Sequence, residues 1–463
     1  MPLFNEFPPA NKALWKEQAL KDLKGKDFDQ TLLWHTQEGF TVQPYYTQED
    51  LVNLPLESIQ SSQTTEGWEN RQEIIFLNEK ITNSQVIKAL QSGADAICID
   101  LSKVNVLDIN LSKLLDKVKL SDTPVYFKVN NQSQELLAGL GKFINYQMKG
   151  GLYDDALARW MTTGFWDDTS FINLKKSIAQ TYNSPRFRTI TVQSHHFHNA
   201  GANVVQELAF TLASVVEYFD NLMDESPDSF KIQELTENLS VSLSVGTDYF
   251  MEIAKIRAWK YLYNQVIVAY QVEEPTYDSS PFLHCQTSAY YQSVLTPSTN
   301  MLRASTEAMS AIMGGCDALT VRAYNADIDV DTDEFSQRIA RNVSSILKEE
   351  SYLDKASDPT AGSYYLENLT NELAINAWAL FQEIEGMGGI IEAFKKGYIQ
   401  TKIKEANLYK QSQLQANKTV MVGVNKFRFD EEPFQKPIKA NVEKATTDFE
   451  LLVEQRLSEG FEG

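Results

Sequence analysis

The chain has 463 residues, 43% of them hydrophobic, with a formal net charge of -20 and a pI near 4.8. This suits one large globular domain with appendages, or two domains. The acidic balance, with no basic stripe, excludes the nucleic-acid-binding class. Three scattered cysteines, Cys98, Cys285 and Cys316, exclude a disulfide scaffold and a CxxC metal site. Residues 1–9 hold no basic stretch followed by an apolar one, and no apolar run approaches the ~18 residues that span a bilayer. The expectation is a cytoplasmic protein with neither membrane nor nucleic acid as partner. Anionic small ligands stay open, because a local Arg or Lys group binds them whatever the net charge.

Residues 1–70 do not read as alternating strand and helix. A short helix is expected over 11–23, stopped at Gly25, and a polar loop over 60–67. The region is either an arm or a capping layer. From residue 72 the rhythm changes. Short apolar runs at 73–77, 94–101, 124–129, 143–148, 189–194, 239–245, 282–286 and 318–324 read as strands. Helical spacing is clear over 204–222, 251–263 and 335–347. The fold class is therefore α/β. The domain spans 71–390, and a charged helical tail is expected over 391–463.

Three of the five histidines, His195, His196 and His198, follow the 189–194 strand. In a (β/α)8 barrel the C-terminal ends of the strands build the active site. On an extended strand His196 and His198 face the same way, as metal ligands do, yet no spacing supplies a third ligand, so no metal is expected. A general acid or electrophile is the second reading, and a hydrogen-bonded strand end the third. His284-Cys285-Gln286 ends another strand. Adjacent residues there point to opposite faces, so His284 is not the base for Cys285. Arg322 follows Leu319-Thr320-Val321 within the 318–324 run; it suits a carboxylate or phosphate, or a plain salt bridge. The Gly-rich stretches 139–142 and 386–389 match no phosphate-loop or dinucleotide fingerprint.

Several segments together resemble the methylmalonyl-CoA mutase family. Residues 34–46 are similar to its "W-x-T-x-E-G-[IF]-x-V-x-P-x-Y" signature, and 250–257 to its "F-M-E-[VI]-A-K-[LI]-R" helix. Residues 284–288 are similar to its "H-[CS]-Q-T-S-G", with Ala289 in place of the glycine. Further matches run over 338–342, 358–363 and 423–428, and 191–202 resembles the segment carrying the family's catalytic histidine, here His196. The resemblance implies a (β/α)8 TIM barrel threaded by an acyl-CoA, and a radical 1,2 rearrangement driven by adenosylcobalamin. It puts the site at His196, His195, Gln286 and His284.

The departures matter as much. No histidine here sits in the family's D-x-H-x-x-G cobalt-binding motif, and no cobalamin domain follows residue 463 in this sequence. His195 replaces the tyrosine before the catalytic histidine. The arginine that receives the substrate carboxylate aligns near Phe171, and another is replaced by Phe282. Both aromatics are expected to fill the channel. The pattern resembles the small (beta) subunit branch. There a large (alpha) subunit catalyses and holds the cofactor, and the N-terminal arm embraces it. On that reading this chain is a non-catalytic subunit that binds no cofactor itself. One alternative is a catalytic subunit that takes cobalamin from a separate chain. Another is an unrelated barrel enzyme using the three histidines with a metal.

Overall fold

The computed structural model describes residues 11–63, 67–224, 229–270, 281–326, 334–429 and 444–462. Residues 1–9, read above for a targeting signal, and 430–443 of the expected tail lie outside the described residues. Two short strands, β1 (Trp34–His35) and β2 (Thr41–Val42), pair antiparallel. Nine more follow: β3 (Glu69–Ile75), β4 (Ala96–Asp100), β5 (Val125–Lys128), β6 (Lys149–Tyr153), β7 (Arg186–Arg188), β8 (Ile190–Gln193), β9 (Leu239–Val245), β10 (Phe282–Thr287) and β11 (Ala318–Thr320).

The sequence of β9 shows how the sheet is built. Its serines, Ser240, Ser242 and Ser244, alternate with Leu and Val. Period-2 alternation places the two sets on opposite faces. Leu239, Val241, Leu243 and Val245 join the main core, between sheet and helices. The serines turn inward, where a closed barrel leaves little room.

Every pairing from β3 to β11 is parallel, in the order β7-β6-β5-β4-β3-β11-β10-β9-β8. Since β7 and β8 are two halves of one stretch interrupted at Thr189, the sheet closes on itself. Thr191 Oγ1 donates to the Leu152 carbonyl across the seam (2.5 Å). Counting β7 and β8 as one, this is an eight-stranded (β/α)8 barrel. Long helices wrap it. Val204–Leu222 starts at Asn203, whose side chain accepts from Gln206 N–H in a capping box. Tyr249–Ala269 starts at Asp248.

Three expectations need correction. The apolar run 143–148 is not a strand. Ile144, Tyr146 and Met148 pack against the smaller core cluster, and the strand is the Gly-rich β6 that follows. Gly150 is needed there: its φ is +117°, and a Cβ would lie 2.0 Å from the Val125 carbonyl oxygen. The first barrel strand begins at Glu69, earlier than its apolar run, because its inward face is polar. Among the described residues the tail is helical only through Gly389–Lys395 and Tyr398–Gln415. Residues 444–462 are irregular apart from a 3-10 turn, and their backbone N–H groups dock on Thr163, Met161, Asn199 and Tyr290 carbonyls.

The N-terminal region divides. The hairpin is tied to the barrel by Asn203, which donates to the Gln37 carbonyl. Helix Lys12–Asp22 buries none of its residues. Among the described residues no helix is long and apolar enough to cross a membrane.

Candidate active site at the barrel axis

The inward residues of β3, β5, β6 and β10 meet on the axis. Arg71 on β3 is 3% exposed. Its guanidinium carbon lies 4.6 Å from the Tyr126 ring centroid and 4.8 Å from that of Tyr153. One guanidinium nitrogen donates to the Tyr153 hydroxyl (2.8 Å) and Nε donates to Thr320 Oγ1 (3.3 Å). Below, Phe282 stacks on Tyr126 (6.1 Å), and the Arg188 guanidinium carbon lies 4.5 Å from the Phe282 ring centroid. Tyr126 donates to Glu69 (3.2 Å). Burial raises the Tyr126 and Tyr153 hydroxyls and pushes the neighbouring Cys98 thiol up to about 12, so all three stay protonated at neutral pH. The axis is a packed stack of aromatics around a buried cation.

Above the stack sit two histidines. His284 Nδ1 is 2.6 Å from Ser242 Oγ, and its Nε2 is 2.9 Å from Thr320 Oγ1. His195 Nε2 is 2.7 Å from the same Ser242 Oγ, and its Nδ1 is 2.7 Å from Ser244 Oγ. One serine hydroxyl thus joins the two rings. Burial lowers His195 to about 3 and His284 well below its usual value, with Arg71 adding to the second. Both are neutral imidazoles. Gln286 shares the inward register of Phe282 and His284. Lys128 closes the layer, 3.2 Å from Glu73 and 3.1 Å from Asp100.

The other predicted residues lie elsewhere. Residues 195–199 form a helical turn after β8, not an extension of the strand. Only His195 therefore points at the axis. His196 is 7% exposed, packs on Phe197, and has neither ring nitrogen hydrogen-bonded. Burial lowers it to about 3. His198 instead meets Glu207 (3.2 Å) and Ser288 (2.8 Å). Among the described residues no group of three His, Cys, Asp or Glu is placed to hold a metal ion. Cys285 faces the outer core, away from His284. Arg322 follows β11, and its backbone N–H donates to Thr287 Oγ1. Phe282 occupies the axis as expected. Phe171 does not: it sits on the outer helix Ser170–Thr181, against Tyr218 and Trp166, because that segment is a barrel helix with its apolar side on the main core.

Sequence reasoning missed Arg71 and the network beneath the mouth. The only signal for Arg71 was a lone cation inside a strand of inward polar residues. Glu207 Oε1 accepts from Ser194 Oγ (2.5 Å), and its Oε2 accepts from Lys255 Nζ (2.9 Å). Lys255 also donates to the Ser244 carbonyl (2.6 Å). Burial opposes the Glu207 charge, but Lys255 and His198 outweigh it and hold the carboxyl well below its usual range. Such a pair fixes geometry more than it adds stability.

This barrel, with a histidine-bearing turn after its fifth strand, matches known proteins. A family description, methylmalonyl-CoA mutase, matches residues 104–456. The chain belongs to the methylmalonyl-CoA mutase family. It is 30% identical over 442 residues to the methylmalonyl-CoA mutase small subunit of Porphyromonas gingivalis, covering 92% of this chain and 71% of that one. It is 32% identical to the methylmalonyl-CoA mutase of Cereibacter sphaeroides and 30% identical to that of Escherichia coli. Those matches cover 90% and 91% of this chain but only 64% and 65% of the relatives. Two mutase signatures meet in this fold. Arg257, from the 250–257 segment, pairs with Asp358 of the 358–363 segment and with Glu367 (2.9 Å). That match is structural: it clamps two barrel helices.

Proposed function

We propose that the chain is a supporting small subunit of a methylmalonyl-CoA mutase, which isomerises methylmalonyl-CoA to succinyl-CoA in a complex. The observation that carries this reading is the filled axis. An acyl-CoA threaded along it would have to displace Arg71, Tyr126, Tyr153 and Phe282 together. Each is held by at least one of the others, and Arg71 would lose its hydrogen bonds and ring contacts at once.

The radical chemistry of such an enzyme would come from adenosylcobalamin. The histidines of this chain do not fit as cobalt ligands. His195, His198 and His284 have both ring nitrogens engaged by side chains of the chain itself, and His35 lies on the two-stranded N-terminal hairpin, outside the barrel sheet. The fifth, His196, is buried against Phe197. The cofactor therefore belongs to a large (alpha) subunit, which also takes the acyl-CoA. Leu14 and Leu20, 50% and 48% exposed on the helix that buries nothing, suit a contact with that subunit.

His196, with both ring nitrogens unpaired, is the observation that favours a catalytic subunit drawing cobalamin from a separate chain. One assay separates the readings. Mutase turnover with methylmalonyl-CoA and adenosylcobalamin is measured for the chain alone, with the large subunit, and with a separate cobalamin-binding protein. Turnover only with the large subunit is expected. Turnover by the chain with a cobalamin-binding protein alone would overturn the proposal.

A further inference from the structure

The loop after helix Tyr398–Gln415 divides its side chains between core and solvent. Met421 and Val424 enter a small cluster with Tyr290 and Leu414. Val420, Val422 and Phe427 are left exposed, Phe427 by 74%. Arg303 donates to the Val422 carbonyl (2.5 Å), which sets the exposed Leu302 beside them. A β-bridge between Val422 and Lys426 brings Phe427 to the same spot. The backbone holds Phe427 there at a φ of +54°, a conformation that bulky residues rarely adopt. A contiguous exposed apolar patch marks a contact with another surface.

The charge around the patch says what that surface carries. Residues 281–306 and 406–429, which build it, contain no Asp or Glu, in a chain with a net charge of -20. Lys418 and Lys426 rim it. Both are exposed, and among the described residues neither takes part in an ion pair.

The complement lies at the other end of the barrel. Barrel helices run back from the C-terminal to the N-terminal ends of the strands. Leu302 is near the start of helix Pro297–Gly314, at the C-terminal rim. Glu217 and Asp220 are in the last two turns of Val204–Leu222, at the opposite rim, with Glu385 close to both. Burial raises the Glu385 carboxyl to about 7, and the charges of Asp220 and Glu217 add to it. Lys395, which acts on Glu217, is already bonded to Glu392 (2.9 Å). Tyr270 donates to Asp220 (2.5 Å) and offers a half-buried ring. Faces on opposite rims cannot meet within one chain, but they can meet between two. We infer that copies of this chain associate head to tail, the basic apolar patch of one seated on the Glu217, Asp220 and Glu385 face of the next.

The test is sedimentation velocity on the full chain, between about 2 and about 200 µM, at about 50 mM and about 500 mM salt. The weight-average mass should rise with concentration above the 52.5 kDa of one chain. The association should weaken about fivefold or more at the higher salt. Lys418→Glu with Lys426→Glu should weaken it about tenfold or more, and adding Glu217→Lys with Asp220→Lys should restore most of the loss. Phe427→Gly should weaken it about fivefold, while the melting temperature stays level or rises, since glycine suits a positive φ. That result shows the variant is folded. A chain that stays monomeric throughout would overturn the inference, as would association that these variants leave unchanged, or a charge swap that restores nothing. A monomer whose patch variants instead lose binding to the large subunit would assign the patch to that partner and overturn the inference as well.

Discussion

Arg71 on β3 donates to the Tyr153 hydroxyl on β6 across the barrel axis, at 2.8 Å. The bond links strands that are not neighbours in the sheet and holds the centre of the stack. Arg71→Ala removes the cation between two rings and leaves the Tyr153 hydroxyl without its donor. It should cost about 2–4 kcal/mol, read as a shift of the urea midpoint at pH 7. Arg71→Lys should recover only part of this, because an ammonium cannot serve Tyr153 and Thr320 in one plane.

Restoring a cation at Phe282 should not restore a ligand site. Phe282→Arg would set a further guanidinium beside Arg188 and near Arg71, in a buried layer whose acids, Glu69 and Asp317, already face Arg188. The expected outcome is a loss of about 2 kcal/mol or more, with no acyl-CoA binding by calorimetry. Tight binding by the variant would mean that the stack yields readily.

The buried histidines set one pH slope. His195 has a folded pKa near 3 against a usual 6.5. Between these values the unfolded chain binds the extra proton. Stability is therefore complete above about pH 6.5 and falls as the pH drops towards 3. His195→Gln should flatten that slope in urea midpoints measured from pH 7 to pH 5.

Glu307 sets the opposite slope. Burial pushes its carboxyl up to about 8, so the folded chain holds a proton that the unfolded chain releases above about 4.5. Its contribution is lost as the pH rises through that window. Glu307→Gln keeps an acceptor for the Ser288 N–H and should stabilise the chain more at pH 8 than at pH 5. An equal effect at both would show that the carboxyl is ionised throughout.

Lys255→Met should cost about 3–5 kcal/mol, because it leaves two buried carboxylates, Glu207 and Glu252, without their shared partner. Adding Glu207→Gln should recover only the part that belongs to Glu207. The double-mutant cycle in urea unfolding gives the coupling directly.

Leu14→Asp with Leu20→Asp tests the partner contact. Helix Lys12–Asp22 buries no residue, so the melting temperature should stay within about 2 °C. Co-purification with the large subunit should fall about tenfold or more if this surface docks there.

The sequence by itself carried the α/β rhythm, the barrel and the family. Those rest on local rules: apolar runs of strand length, helical periodicity, and signatures legible in order along the chain. The family resemblance also pointed to Phe282, His284 and Gln286, and period-2 alternation along the strand set Cys285 on the face opposite His284. The sequence did not carry the turn after β8. There, ending the strand at Gln193 and coiling 195–199 sends His195 to the axis and His196 into the apolar layer, and local propensity does not choose between the two. Nor did it place Phe171, whose helix lies outside the wall, or the Gly-rich β6, whose fitness as a strand comes from the close approach of its neighbours. Arg71 is the clearest case. A lone arginine in a strand looks like a surface residue. Only closure of the sheet brings Tyr126, Tyr153 and Thr320 around it, from strands far apart in sequence, and turns it into the centre of a packed axis.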